Sequence, residues 1–150
     1  MGCVVRVVKA WAVVSDSAPI LIPLSELEAS CGFPSPAQDY RTNEIDLNEV
    51  LFTNRQASFL MRARGHSMTR AGIFDGDELI VDRSIAPLDG HVVVAAVDGE
   101  MLVKRLRLPA TGGVVLAAEH PDYPNLRLAE LSELRVWGVV TRSLHRVSRD

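Results

Sequence analysis

Cysteine is nearly absent. Cys3 and Cys31 are the only two in 150 residues, they stand at no metal-ligand spacing, and a single pair makes no disulfide framework. A reduced, cytoplasmic setting is the simplest reading. The four histidines, His66, His91, His120 and His145, fall one to a segment and suggest no metal site. Basic clusters are lacking as well. With a formal net charge of −3 and no run of Lys or Arg, electrostatics offer no hold for direct nucleic-acid binding. No apolar stretch reaches the roughly 18 residues that a membrane-spanning helix needs. Repeats and low-complexity tracts are missing, and helix-period patterns are scarce.

Residues 4–14 are an apolar run interrupted by Arg6 and Lys9. A secretory signal carries its charges ahead of the apolar core, not inside it. Met1-Gly2-Cys3 opens like a myristoylation start, but Arg6 stands where Ser or Thr is wanted. An extended arm or edge strand that packs on another surface fits better, and Ile20–Leu24 continues it. Pro19 and Pro23 exclude one long helix. Ser25-Glu26-Leu27-Glu28 reads as the start of a helical turn, with serine as N-cap. Cys31 to Ala37 is a linker, in which Gly32 leaves room for close approach and Pro34 and Pro36 hold the chain extended. Ile45–Leu51 predicts a short helix capped by Asn43 or Asp46.

From there the pattern turns to β. Candidate strands are Ser58–Ala63, Glu78–Val81, His91–Val97, Met101–Leu108, Val114–Ala118 and Arg135–Thr141, separated by Gly, Pro and Asp turn signals. The expected fold class is mostly β, a folded or partly closed sheet with an extended N-terminal arm.

Two residues carry the candidate chemistry. Ser67 sits in the glycine-flanked bend Arg64-Gly65-His66-Ser67-Met68, between two apolar runs. Such a bend is ordinary turn chemistry, and it is also a way to present a hydroxyl among backbone amides. Lys104 lies in the second strand of a hairpin turned by Asp98-Gly99. Strand alternation puts it in a row with Leu102, Leu106 and Leu108, while Met101, Val103, Arg105 and Arg107 fall on what reads as the solvent side. A lysine among leucines snorkels, pairs with an acid, or gives up its proton.

Gly65-His66-Ser67-Met68, Asp75-Gly76-Asp77-Glu78-Leu79-Ile80-Val81-Asp82, Ala96-Val97-Asp98-Gly99-Glu100 and Val103-Lys104 resemble the self-cleaving serine–lysine family that includes LexA, phage repressors and UmuD. Cys31-Gly32-Phe33-Pro34-Ser35-Pro36-Ala37, Asp39-Tyr40 and Ile45-Asp46-Leu47-Asn48 resemble the cleavage site and following segment of its UmuD-like branch. The likeness runs from about Ile22 to Val140. Cys31 precedes Ser67 by 36 residues, and Lys104 follows Ser67 by 37.

The resemblance implies a LexA/UmuD-type folded β-sheet peptidase domain at 32–150 and an arm, 1–31, removed by self-cleavage of Cys31-Gly32. Ser67 would be the nucleophile and Lys104 the general base, with the backbone amides of His66 and Ser67 holding the oxyanion. No cofactor is implied. The implied role is that of an accessory subunit of an error-prone translesion DNA polymerase in the SOS response. Its implied partners are a second copy, the RecA filament on single-stranded DNA, and a Y-family, UmuC-like polymerase subunit. An exposed apolar arm would itself favour a homodimer. About 31 residues precede the cleavage site, too few and too β-like for a repressor's helix-turn-helix. Two residues depart from the family pattern. His66 stands where relatives carry a small, acidic or Met residue, but adjacent side chains on extended backbone diverge, so it is poorly placed as the base. Glu119 stands where relatives tend to have Asn. The competing readings are a signal-peptidase-like protease acting in trans and a structural dimer with an idle dyad.

Overall fold

Asp98 and Gly99 both take positive φ, 49° and 78°, the backbone that a two-residue hairpin turn demands. They join β6 (Val92–Val97) to β7 (Glu100–Arg107), paired from Val92↔Arg105 to Val97↔Glu100. The computed structural model describes residues 4–25, 42–128 and 134–148. These fall into two units, Asp16–Thr53 and the combination of Met1–Ser15 with Asn54–Asp150. In the first, β2 (Leu21–Ser25) pairs antiparallel with β3 (Thr42–Asp46). The short helix α1 (Leu47–Leu51) follows, capped by Asp46, whose carboxylate accepts from the Asn48 amide at 3.0 Å. Of the two expected caps it is Asp46 that serves, because it directly precedes Leu47, whereas Asn43 lies three residues further back in β3. Ser25 closes β2; the helical turn expected to follow it falls on Glu26–Glu28, which lie outside the described residues.

The second unit is an eight-stranded sheet. It is built from β1 (Arg6–Ala12), β4 (Ser58–Arg64), β5 (Glu78–Asp82), β10 (Arg135–Leu144), β6, β7, β8 (Val114–Ala117) and β9 (Leu126–Leu128), hydrogen-bonded in that order. β1 also meets β7 through Arg6↔Leu102, so the first six strands form a closed ring. The expected mostly β, folded sheet is the fold observed, and the apolar arm is part of it. β1 pairs with β4 from Arg6↔Arg64 to Ala12↔Phe59, with a register shift between Val7 and Lys9. Pairing inside the chain covers the backbone edge of β1, while Val8, Val14, Ile20, Leu21 and Ile22 of the arm keep their side chains exposed.

All six ring strands, or the residues just flanking them, contribute to one core cluster, with Val5, Met61, Ala63, Leu79, Val81, Val94 and Val103 buried. A second cluster, including Val93, Ala95, Leu106, Val114, Leu116 and Val139, lies where β8 and β9 extend the sheet. This corrects one expectation about β7. Its Val103 face is not solvent: Val103 is fully buried and Arg105 half-buried. Ring closure encloses that face, which alternation along one strand does not reveal.

Gly138 lies beside a second register shift, between Val136 and Gly138 on the β6 side of β10. A Cβ there would stand 2.6 Å from Val81 Cγ1 and 3.4 Å from the Asp82 carbonyl oxygen. Gly138→Ala is expected to destabilise the domain by about 1–3 kcal/mol through overpacking. Urea denaturation checks this, as a lowered midpoint with unchanged slope.

Candidate active site

β4 ends at Arg64, and Gly65 turns the chain with φ 124°, a conformation open to glycine and costly for other residues. The Gly65 amide donates to Asp75 Oδ1 at 2.9 Å, and Arg64 Nη1 lies 3.5 Å from Asp75 Oδ2. The amide hydrogen bond holds the Asp75 carboxyl below the usual carboxylate range, against a smaller opposing effect of burial, and the charges of Arg64 and His66 add to it. After Ser67 and Met68 a 3₁₀ turn, Thr69–Ala71, closes at Gly72 with φ 80°. Asp77, buried, braces the same loop. Its carboxylate accepts from the Phe74 amide at 2.8 Å and from Ser143 Oγ at 2.9 Å, and lies 2.6 Å from His145 Nδ1.

Ser67 is fully buried at the centre of this turn, and His66 beside it is exposed. Neither the His66 nor the Ser67 amide donates a hydrogen bond to any described residue, so both are free to bind a developing oxyanion.

Lys104 is 2% exposed, and among the described residues it makes no ion pair or hydrogen bond. Of the three fates open to a lysine among leucines, pairing is therefore not what is observed. Burial alone pushes its ammonium below the ordinary lysine pKa of 10.5.

What brings Ser67 toward Lys104 is the free edge of β7. At one end of that edge β1 meets Leu102, and the Val103 amide donates to the Val5 carbonyl at 3.1 Å. At the other end β8 pairs with Arg105–Arg107. Lys104 stands at the junction. Both neighbours of that junction also hold Ser67. The Val5 amide donates to Ser67 Oγ at 2.8 Å. The Glu119 amide, two residues beyond β8, donates to the Ser67 carbonyl at 2.8 Å. The Arg70 amide donates in turn to the Glu119 carbonyl at 2.9 Å. The Glu119 carboxylate is ion-paired with Arg105, whose Nη1 donates to the Gly90 carbonyl at 2.7 Å.

Of the sequence candidates, Ser67 and His66 share the turn after β4, and Lys104 follows Val103, whose partner Val5 also bonds Ser67; Cys31 and Gly32 lie outside the described residues. Sequence reasoning missed three neighbours. Asp75 carries a signal in hindsight, as an acid ten residues after a glycine turn. Glu119 drew notice only as a departure, and it acts through its backbone, which has no sequence signature. Val5 carries no signal at all, because nothing local announces which strand it joins. Beside Ser67 a cavity of about 730 Å³ is lined by Val4, His66, Thr69, His120, Tyr123 and their neighbours. No group of three or more metal-ligating side chains is found among the described residues.

A family model describing peptidase S24-like proteins matches residues 23–141. The chain is 40% identical over 124 residues to Protein ImpA of Salmonella typhimurium, covering 83% of each chain. It is 40% identical over 124 residues to Protein MucA of Escherichia coli, covering 82% of this chain and 84% of that one. To the LexA repressor of Delftia acidovorans it is 39% identical over 125 residues, which cover 83% of this chain and 54% of the repressor.

Burial of Lys104 has a consequence for stability whose sign is fixed. The folded-state pKa lies below the unfolded value, so below both the chain carries the full cost of an enclosed ammonium. That cost is relieved as pH rises from the folded pKa to 10.5. Each unit of lowering corresponds to about 1.4 kcal/mol. Lys104→Met is therefore expected to stabilise the domain at neutral pH, with a gain that shrinks as pH approaches the free-lysine value. Urea midpoints of both proteins across pH 7–10.5 test this, and a gain independent of pH would contradict it.

Proposed function

The chain belongs to the peptidase S24-like family, the self-cleaving serine peptidases of the LexA/UmuD group, and we propose that Ser67 and Lys104 cut the chain's own Cys31–Gly32 bond. One observation carries the assignment: a lysine 2% exposed, with no ion pair or hydrogen bond among the described residues, on the strand whose edge is tied through Val5 to a buried serine. A serine hydroxyl is a weak nucleophile until a base takes its proton, and a lysine at its ordinary pKa is the wrong base near neutrality. Desolvation supplies the neutral amine.

In the proposed reaction the Lys104 amine takes the Ser67 hydroxyl proton as Oγ attacks the Cys31 carbonyl carbon. The His66 and Ser67 amides hold the oxyanion. The C–N bond breaks, the Lys104 ammonium gives its proton to the Gly32 nitrogen, which leaves as a free amino terminus, and the arm stays bound as an ester on Ser67. Water, deprotonated by the same amine, hydrolyses that ester and frees Cys31 as a carboxylate. No cofactor takes part. His66 is exposed where Ser67 is buried, makes no hydrogen bond to its hydroxyl, and serves as cavity wall.

The relatives are UmuD-like SOS mutagenesis proteins, and the biological role follows from that likeness. The trimmed chain acts as a homodimeric accessory subunit of an error-prone translesion polymerase. RecA filaments on single-stranded DNA promote its cleavage, and the product binds a Y-family, UmuC-like catalytic subunit in the cytoplasm. Among the described residues no helix is long and apolar enough to cross a membrane.

Pure protein incubated between pH 6 and 10 should shorten itself, with a rate that rises with pH through a midpoint well below 10.5 and then levels off. Intact mass should place the new N-terminus at Gly32. Ser67→Ala, Lys104→Ala and Lys104→Arg should each lose about 10³-fold or more at every pH, the last because guanidinium keeps its proton. A Lys104→Ala protein that still cuts itself would remove Lys104 as the base.

A further inference from the structure

β1 occupies the place that a substrate strand would take. An extended segment docking at this site would add to the open edge of β7, using the Val103 amide as a main-chain donor and bringing a peptide group to Ser67. Val5 already does both: its carbonyl accepts from Val103 at 3.1 Å and its amide donates to Ser67 Oγ at 2.8 Å. Its side chain is 1% exposed, packed in the ring core with Met61, Met68 and Val103. Val4 continues into the cavity beside His66 and Tyr123.

The register of this segment is unreactive. An N–H that donates to Oγ puts the oxygen on the hydrogen side of the amide and near its plane. Attack needs Oγ above the plane, over a carbonyl carbon. The Val4–Val5 bond therefore fills the site without being cut, and one of the two lone pairs of Ser67 Oγ is taken up as an acceptor. β1 also lies before the matched residues 23–141, so this contact belongs to a part of the chain that the family likeness does not cover. The shift between Val7 and Lys9 divides β1, which lets Val5–Val7 lift while Lys9–Ala12 keep their pairing with β4.

We propose that Val4-Val5 is an intramolecular, non-cleavable occupant of the peptidase cleft, which holds Ser67 idle until an incoming extended segment displaces it from the β7 edge. This rests on the reading of Ser67 as nucleophile, and the test separates the two. Diisopropyl fluorophosphate forms a P–O bond to an activated serine oxygen and releases fluoride, so it reports on Ser67 without requiring a cut. The full chain is compared with Val5→Pro, which lacks the amide donor, and with Val5→Ala, which keeps the donor but loses packing; Ser67→Ala identifies the labelled residue. Circular dichroism and a cooperative melt establish that each variant is folded. Hydrogen exchange at the Val5 amide in the unaltered chain adds a readout needing no variant.

The expected results are a protected Val5 amide and labelling that rises about tenfold or more when a buried valine's hold is lost. A synthetic peptide of residues 1–9 should return Val5→Pro toward the original rate. Self-cleavage rising in parallel supports both readings. Labelling that rises with no chain shortened supports the occupant and sinks the self-cutting reaction. Folded variants that label at the original rate, or a Val5 amide that exchanges like an open one, overturn the occupant even where self-cleavage proceeds.

Discussion

An ammonium group enclosed at 2% exposure, with no carboxylate against it among the described residues, costs the fold stability. That cost has to be carried by the strands around it. β7 is fitted for this because it has partners along both edges: β6 along the whole of one, and β1 and then β8 along the other. Two hydrophobic clusters flank it, one filled by the ring strands and one where β8 and β9 extend the sheet. The proton affinity of Lys104 is thus a property of the closed ring and not of any one neighbour.

The serine is held by the opposite means, with many specific contacts and little reliance on burial alone. Asp75 fixes the glycine that begins the turn, Asp77 ties the loop after it to β10, and Glu119 receives and gives backbone hydrogen bonds across it. Precise placement of a hydroxyl needs directional bonds, whereas lowering a lysine pKa needs only the exclusion of water. The two halves of the site are built accordingly.

The hairpin, six of the seven strands from residue 58 onward and the leucine row around Lys104 could be read from the chain, because each rests on local chemistry: Asp98-Gly99 as a turn, and alternation along a strand; the three-residue β9 is too short to show a pattern. The burial of Val103 could not, since it follows from closure of a ring by residues nearly a hundred positions away. The same holds for the arm. Its composition announces an extended apolar segment, and only the pairing of Arg6 with both Arg64 and Leu102 says where it goes. Glu119 is the sharpest case. Its side chain is what a sequence displays, but its main chain is what reaches Ser67.

The closed ring gives the proposed cut a structural meaning beyond trimming a tail. β1 is one of the six walls, so a break after Cys31 turns it from a covalent strand into a bound peptide. It would then be held by non-covalent forces alone and lost on dilution, as in fragment complementation. Its departure would leave β4 with a row of unpaired amides and carbonyls and β7 with its Leu102–Val103 edge open, and would uncover Met61, Ala63 and Val103. The cleaved chain would be a receptor newly emptied of its own ligand, able to accept a strand from another polypeptide where its own first strand had been.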